Sequence, residues 1–288
     1  YVQTGYVRNY GFEAMLSYGH RWGDFSWDSS FTFSANKNEI VELVKDYVHP
    51  ETGKTYNVDK LELKTDEGRG FGKAKFILKE GGTLGDLYTH ADLKRDINGN
   101  ILIDDSGNVT AIDNAGDIKL GSVLPKANLA WNNSFSYKGI NAGFLLTARL
   151  GGIVYSATQA YLDLYGVSET SAAARDAGGV WVNGRSRVNP QSFYEVVASQ
   201  SGLPTYYTYS ATNLRLQEAH IGYTIPRRWL GNVCDINVSL VGRNLWMIYC
   251  KAPFDPEAVA TTNNYYQGID YFMMPSTRNI GFNIKINF

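Results

Sequence analysis

The chain closes on RNIGFNIKINF, where Ile280, Phe282, Ile284, Ile286 and Phe288 alternate with Asn279, Gly281, Asn283, Lys285 and Asn287. A period of two predicts a strand with one apolar and one polar face. The pattern recurs upstream. Tyr10, Phe12, Ala14, Leu16 and Tyr18 alternate with Gly11, Glu13, Met15, Ser17 and Gly19; Phe25, Trp27, Phe31, Phe33 and Ala35 oppose Ser26, Asp28, Ser30, Thr32 and Ser34. Further strands are expected around Ala74–Leu78, Leu129–Tyr137, Phe144–Leu150 and Ile236–Leu240, with a weaker one over 84–94. Over 213–223, Leu214 and Leu216 set one phase and Ala219, Ile221 and Tyr223 the other, which predicts a bulge. The total is about nine strands, most near the roughly 9–11 residues a tilted membrane strand needs.

A soluble antiparallel sheet gives the same alternation. The links separate the two cases. Those around HRWGDF, GGTLG, KGI and TIPRRWLGN are short, whereas 37–71, 95–125, 152–211 and 248–277 are long. Strict short–long alternation is the habit of outer-membrane barrels, with short periplasmic turns and long outer loops. Phe288 then lies on the periplasmic side and the four long links lie outside. A lipid-embedded sheet must close to satisfy its backbone. Nine strands leave two bare edges, and an odd count departs from the usual even number, so N-terminal strands are expected to be missing from this chain. The first residue is Tyr1, which also suits a piece of a longer chain.

Composition changes this picture little. Lys+Arg number 27 against 28 Asp+Glu, which leaves no nucleic-acid footprint. Aromatic residues make up 14%, in keeping with interfacial girdles. No apolar run approaches the length of a membrane helix. Cys234 and Cys250 bracket one expected strand, about 50 Å apart if extended at roughly 3.3 Å per residue, too far to pair.

Several stretches carry a family resemblance. GYVRNYGFEAMLSY, FSWDSSFTFSANKNEIVEL, the run KLGSVLPKANLAWNNSFSYKGINAGFLLTARLGGIVYSATQAYLDLYGVSETSAAARDAGG, LRLQEAHIGYTIPRRWL, LVGRNLWMIY with FDPEAV, and GIDYFMMPSTRNIGFNIKINF occur in family order. Together they resemble the late barrel strands of SusC/RagA-type TonB-dependent outer-membrane transporters of Bacteroidetes. The resemblance implies an all-β, transmembrane antiparallel barrel of 22 strands, of which residues 1–288 are the C-terminal portion, about the last nine strands. The plug and TonB-contacting segment would belong to the missing N-terminal part. It further implies active import of oligosaccharides or peptides, a SusD-like surface lipoprotein as lid, energy from the TonB complex, a Gram-negative outer-membrane location, and no enzyme activity or cofactor. Phe288 resembles the terminal aromatic residue of the membrane-insertion signal. The alternative reading is a soluble β-rich glycan-binding module; an outer-membrane hydrolase barrel is a third.

The candidate site residues are aromatic. Trp181, Tyr206, Tyr207, Tyr209, Tyr265 and Tyr266 lie in the long links, where rings offer platforms to sugar C–H faces. Trp246 and Tyr249 read instead as girdle or loop-base residues, and Asp255-Pro256-Glu257 and Gly268–Tyr271 as shapers of the last outer loop. Asp96, Asn98 and Asn100 have part of a Ca²⁺-loop spacing, but Gly99 falls between the second and third ligand and no distal Glu follows. Asn98-Gly99 and Ser106-Gly107 favour outer-loop hairpins instead. Residues 169–176 are expected to form a short helix. Glu218 and His220 share a strand face, and no positioned nucleophile accompanies them.

Overall fold

The computed structural model describes residues 5–63, 73–260 and 267–288. Its largest element is a seven-stranded antiparallel sheet: β1 (Tyr6–Trp22), β2 (Phe25–Glu42), β3 (Ala127–Tyr137), β4 (Ile140–Leu150), β5 (Asn213–Ile225), β6 (Asp235–Cys250) and β7 (Asn279–Asn287). The strands pair strictly in chain order, with β1 and β7 at the two edges. The sheet is therefore open among the described residues.

Local chemistry explains the connections at one end. Trp22 pairs with Phe25 across Gly23-Asp24, and Gly23 has φ +59°, the glycine-first turn that suits a twisted hairpin. Tyr137 pairs with Ile140 across Lys138-Gly139, both at positive φ, as the mirror-image two-residue turn requires. The third short link runs over 226–234, where Asp235 accepts from the backbone N–H and the guanidinium of Arg227.

Within these seven strands the register places the expected apolar residues on one face. Leu16, Phe31, Trp131, Leu146 and Leu216 form one cross-strand row; Tyr223, Val238 and Ile284 belong to another. This face is open: Leu16 is 73% exposed, Phe282 77% and Phe288 88%. A continuous exposed apolar face of this kind suits lipid. Polar residues interrupt it mid-strand at Ser29 and Asn133. Ser29 accepts from the Trp131 indole and Asn133 accepts from the Trp27 indole, each at 3.0 Å. The expected bulge in β5 lies at Gln217, which both neighbouring strands skip.

Two segments do not join this wall. Lys75–Lys79 and Asp86–Thr89 pair with Lys60–Leu63 and Ile118–Ser122 in a separate four-stranded sheet. Among the described residues the wall thus has seven strands rather than about nine, and the long links are three: 43–126, 151–212 and 251–278. Short and long links still alternate. The alternation of Ala74, Phe76 and Leu78 is real, but its apolar side faces protein: Ala74 and Phe76 are fully buried.

The three long links pack together into one cap, and the buried core of the chain lies there. Phe76, Leu87 and Leu93 of the first link meet Tyr155, Val182, Val197 and Leu203 of the second and Ile269 of the third. Ile153–Ser156 pairs with Thr208–Ser210 on one side and, in parallel, with Ile269–Asp270 on the other. The second link also holds α1 (Ala157–Leu164), α2 (Glu169–Asp176) and α3 (Pro190–Val197). Each starts on a polar cap, Ser156, Ser168 and Asn189, whose side chain accepts an otherwise unpaired backbone N–H. α2 coincides with the expected helix.

Candidate functional site

The polar face of the wall, just below the cap, carries the densest charged chemistry. Glu13, Ser34, Asn128, Arg149 and Asn213 occupy one cross-strand row on β1 to β5. Thr32, Thr147 and Arg215 belong to the next row. These rows border a recess of about 800 Å³, lined by Glu13, Ser34, Asn128, Arg149, Gln217 and Glu257 among others.

Two arginines on neighbouring strands behave differently there. Arg215, 5% exposed, donates to Asn244 Oδ1 at 2.9 Å and to Asp255 Oδ1 at 2.6 Å, with Glu257 Oε2 3.5 Å away. Burial alone would push the Asp255 carboxyl up, but the hydrogen bonds from Arg215 and from the Glu257 backbone N–H outweigh it and hold the carboxyl below its ordinary range. Glu257 also accepts from Asn213 at 3.3 Å. Asp255 and Glu257, expected to shape the last long link, thereby fasten it to β5. Arg149 has no carboxylate within 4 Å among the described residues. Its Nη2 donates to the Val123 carbonyl at 2.8 Å, and its buried Nε has no partner. Lower on the same face, Glu218 pairs with Arg243 at 2.9 Å, while His220 lies over Gly143 with no hydrogen-bond partner among the described residues.

The aromatic candidates do not form one platform. Trp181 is 56% exposed on the hairpin formed by Val180–Val182 and Ser186–Val188, with the Arg187 guanidinium 4.4 Å over its ring. Tyr206 is half-buried edge-on against Phe193, and Tyr209 edge-on against Phe254. Tyr207 is 2% exposed and donates to Asp163 Oδ2 at 3.0 Å, so its ring is spent on the cap core. Burial pushes the Tyr207 hydroxyl well up, and that of Tyr209 to about 12. Tyr265 and Tyr266 lie outside the described residues. Trp246 and Tyr249 project from the apolar face near the cap end of β6, as girdle residues do.

Asp96, Asn98 and Asn100 form a hairpin turn. Asp96 Oδ1 accepts the backbone N–H groups of Asn98 and Asn100, and Oδ2 accepts the Asn100 amide, with Gly99 at φ +82°. Those bonds hold the Asp96 carboxyl below its usual range. Asp104 repeats the arrangement with Ser106 and Asn108. Among the described residues no cluster of three or more His, Cys, Asp or Glu could hold a metal. Both cysteines are free thiols. Sequence reasoning did not find Arg149 and Arg215 as a contrasted pair. A basic residue inside each of two apolar runs was the signal available.

One apolar face, one polar face, tight turns at one end and a folded cap at the other are the pattern of an outer-membrane barrel wall. Comparison with known proteins agrees. No protein-family model matches the chain. It is similar to three TonB-dependent receptors of Formosa agariphila: P3, 25% identical over 91% of this chain and 27% of the receptor; P26, 25% over 99% and 29%; and P39, 24% over 100% and 31%. Its fold matches a RagAB peptide transporter chain with a TM-score of 0.65 at 17% identity, over 99% of this chain and 30% of that one. The RagAB peptide importer in a closed-closed state gives 0.65 at 16% identity, with the same coverage. The chain therefore spans roughly three tenths of the length of the proteins it matches, is similar over that span to a fragment of a TonB-dependent receptor, and has a RagA-like fold. TonB-dependent receptors are outer-membrane β-barrels, and they are transporters rather than enzymes.

Proposed function

We propose that the chain is the C-terminal portion of a SusC/RagA-type importer and supplies the last seven strands of a barrel of about 22. The whole protein would import oligosaccharides or peptides, driven by TonB through a plug outside this chain, with a SusD-like surface lipoprotein seated over the cap. The observation that carries this reading is the division of labour in the wall. One face suits lipid, the other presents paired and unpaired charges to a recess, and both edges await further strands, because a sheet in lipid must close. The open count supports it too. Seven strands beginning with one that runs toward the short turns fit the end of an even-stranded barrel.

A soluble glycan-binding module would need its apolar face covered, and among the described residues the packed core lies in the cap. The test is the mass of the full polypeptide purified in detergent from its native membrane, with co-purifying proteins identified. A polypeptide about three times as long with a SusD-like lipoprotein is the expected result. A chain of this length, soluble without detergent and alone, overturns the reading.

A further inference from the structure

We propose that Arg149 is a specificity-determining residue that anchors a carboxylate of the transported molecule. The row Glu13–Ser34–Asn128–Arg149 then takes a short peptide in extended form, its carboxylate on Arg149 and its ammonium group on Glu13. The proposal rests on the importer reading above and concerns the same recess.

Four observations carry it. Arg149 is half-buried at the recess with a single hydrogen bond, to a backbone carbonyl. Its Nε and Nη1 have no partner among the described residues, and a guanidinium is held out of water at a cost unless it is paired. The carboxylates nearby are already engaged, since Asp255 and Glu257 bind Arg215 and Asn213. Nη2 uses one of its two hydrogens on Val123, and its second N–H together with the neighbouring free donor on that edge fits a carboxylate in two parallel hydrogen bonds.

The row supplies the rest. Cross-strand partners place Glu13 three strands from Arg149, about 14 Å at roughly 4.8 Å per strand. Glu13 is exposed and in no ion pair among the described residues. Ser34 and Asn128 stand between them with a hydroxyl and an amide, groups that bind peptide N–H and C=O. About four extended residues span that length. An acidic oligosaccharide would satisfy Arg149 but would bring no cation to Glu13.

The experiment uses the full-length transporter in detergent with its natural partners. The probes are a tryptic casein digest, the same digest with its carboxyl groups methyl-esterified, oligogalacturonate and neutral maltooligosaccharides. Binding is followed by calorimetry and by mass spectrometry of retained molecules. Wild type should retain the free digest, and Arg149→Gln should weaken it roughly tenfold to a hundredfold, the worth of charge-assisted hydrogen bonds. Arg149→Lys should recover part of the loss. Esterification should weaken binding to wild type by a similar factor and leave Arg149→Gln indifferent. Where Arg149→Gln does not assemble, the esterified digest on wild type decides alone.

Equal binding of free and esterified digest overturns the proposal, as does full retention by Arg149→Gln. Oligogalacturonate competing as well as the digest overturns the peptide assignment. Neutral oligosaccharides bound equally by wild type and Arg149→Gln would leave the importer reading standing and remove the anchor. Retention of no peptide and no sugar would remove both.

Discussion

Replacing Arg215 with methionine should release the third long link from the wall. Arg215 is 5% exposed and Asp255 10%, so solvent screens their pair little. The change deletes hydrogen bonds to Asp255 and Asn244 and the contact to Glu257, and leaves the Asp255 carboxylate buried without its cation. Removing one partner of a buried pair costs about 3–5 kcal/mol. If the link opens quickly relative to cleavage, proteolysis reports the open population, and even the lower figure raises the rate more than about a hundredfold. The assay is limited proteolysis of the full-length protein in detergent, with cut sites in 251–278 mapped by mass. Arg215→Met combined with Asp255→Leu should restore most of the protection, because two apolar groups replace two charges. The wild-type link should also loosen in acid. The Asp255 carboxyl lies below its ordinary value in the folded state, so its contribution is complete above the unfolded value near 3.9. It is lost as pH falls through the folded one. Unchanged cleavage in Arg215→Met, or a double variant as labile as the single, would refute this reasoning.

Three further outcomes follow from the same geometry. Leu240→Arg, on the apolar face, should destabilise the full-length protein refolded into phospholipid vesicles by about 2–4 kcal/mol in a guanidinium titration, while Ser239→Arg on the opposite face should be close to neutral; equal effects would remove the lipid assignment. Gly139→Val should cost at least about 1–2 kcal/mol and slow refolding in the same assay, since φ is +88° and a Cβ would sit 3.1 Å from the Thr224 carbonyl. In an ultraviolet pH titration Tyr155, Tyr207 and Tyr209 should ionise above the ordinary tyrosine range near 10. Their raised folded values favour the cap below about pH 10, and that contribution should fade as pH rises through the value of about 12 at Tyr209.

Much of the wall was legible because its period of two sets register and face together. The turns at Gly23-Asp24 and Lys138-Gly139 and the phase break at Gln217 are local signals, and each marks a feature of the structure. Lys75–Lys79 was misplaced for a physical reason. An apolar stripe looks the same whether lipid or a protein core covers it, and the buried state of Phe76 depends on partners in other links. Asn133 and Ser29 interrupt the apolar stripes because indole donors on the adjacent strand meet them, which no single strand reveals. The charged recess was illegible for a similar reason. Arg215 finds Asp255 forty positions later, and the row joining Glu13 to Arg149 exists only once four strands are in register.

The parallel pairing of Tyr155–Ser156 with Ile269–Asp270 has a consequence for biogenesis. The Ser156 hydroxyl donates to Asp270 at 2.6 Å across 114 positions, and Ile269 fills the same core as Tyr155. Such distant closure is slow and comes after local hairpins. The third link reaches the cap only when it is threaded between β6 and β7, so maturation of the cap reports that the β6–β7 hairpin has been inserted. An intermediate stalled before that step would display Tyr155 and its neighbours bare on the cap side. Surface proteases would find it there, and quality control of the membrane step would be exercised on the far side of the membrane.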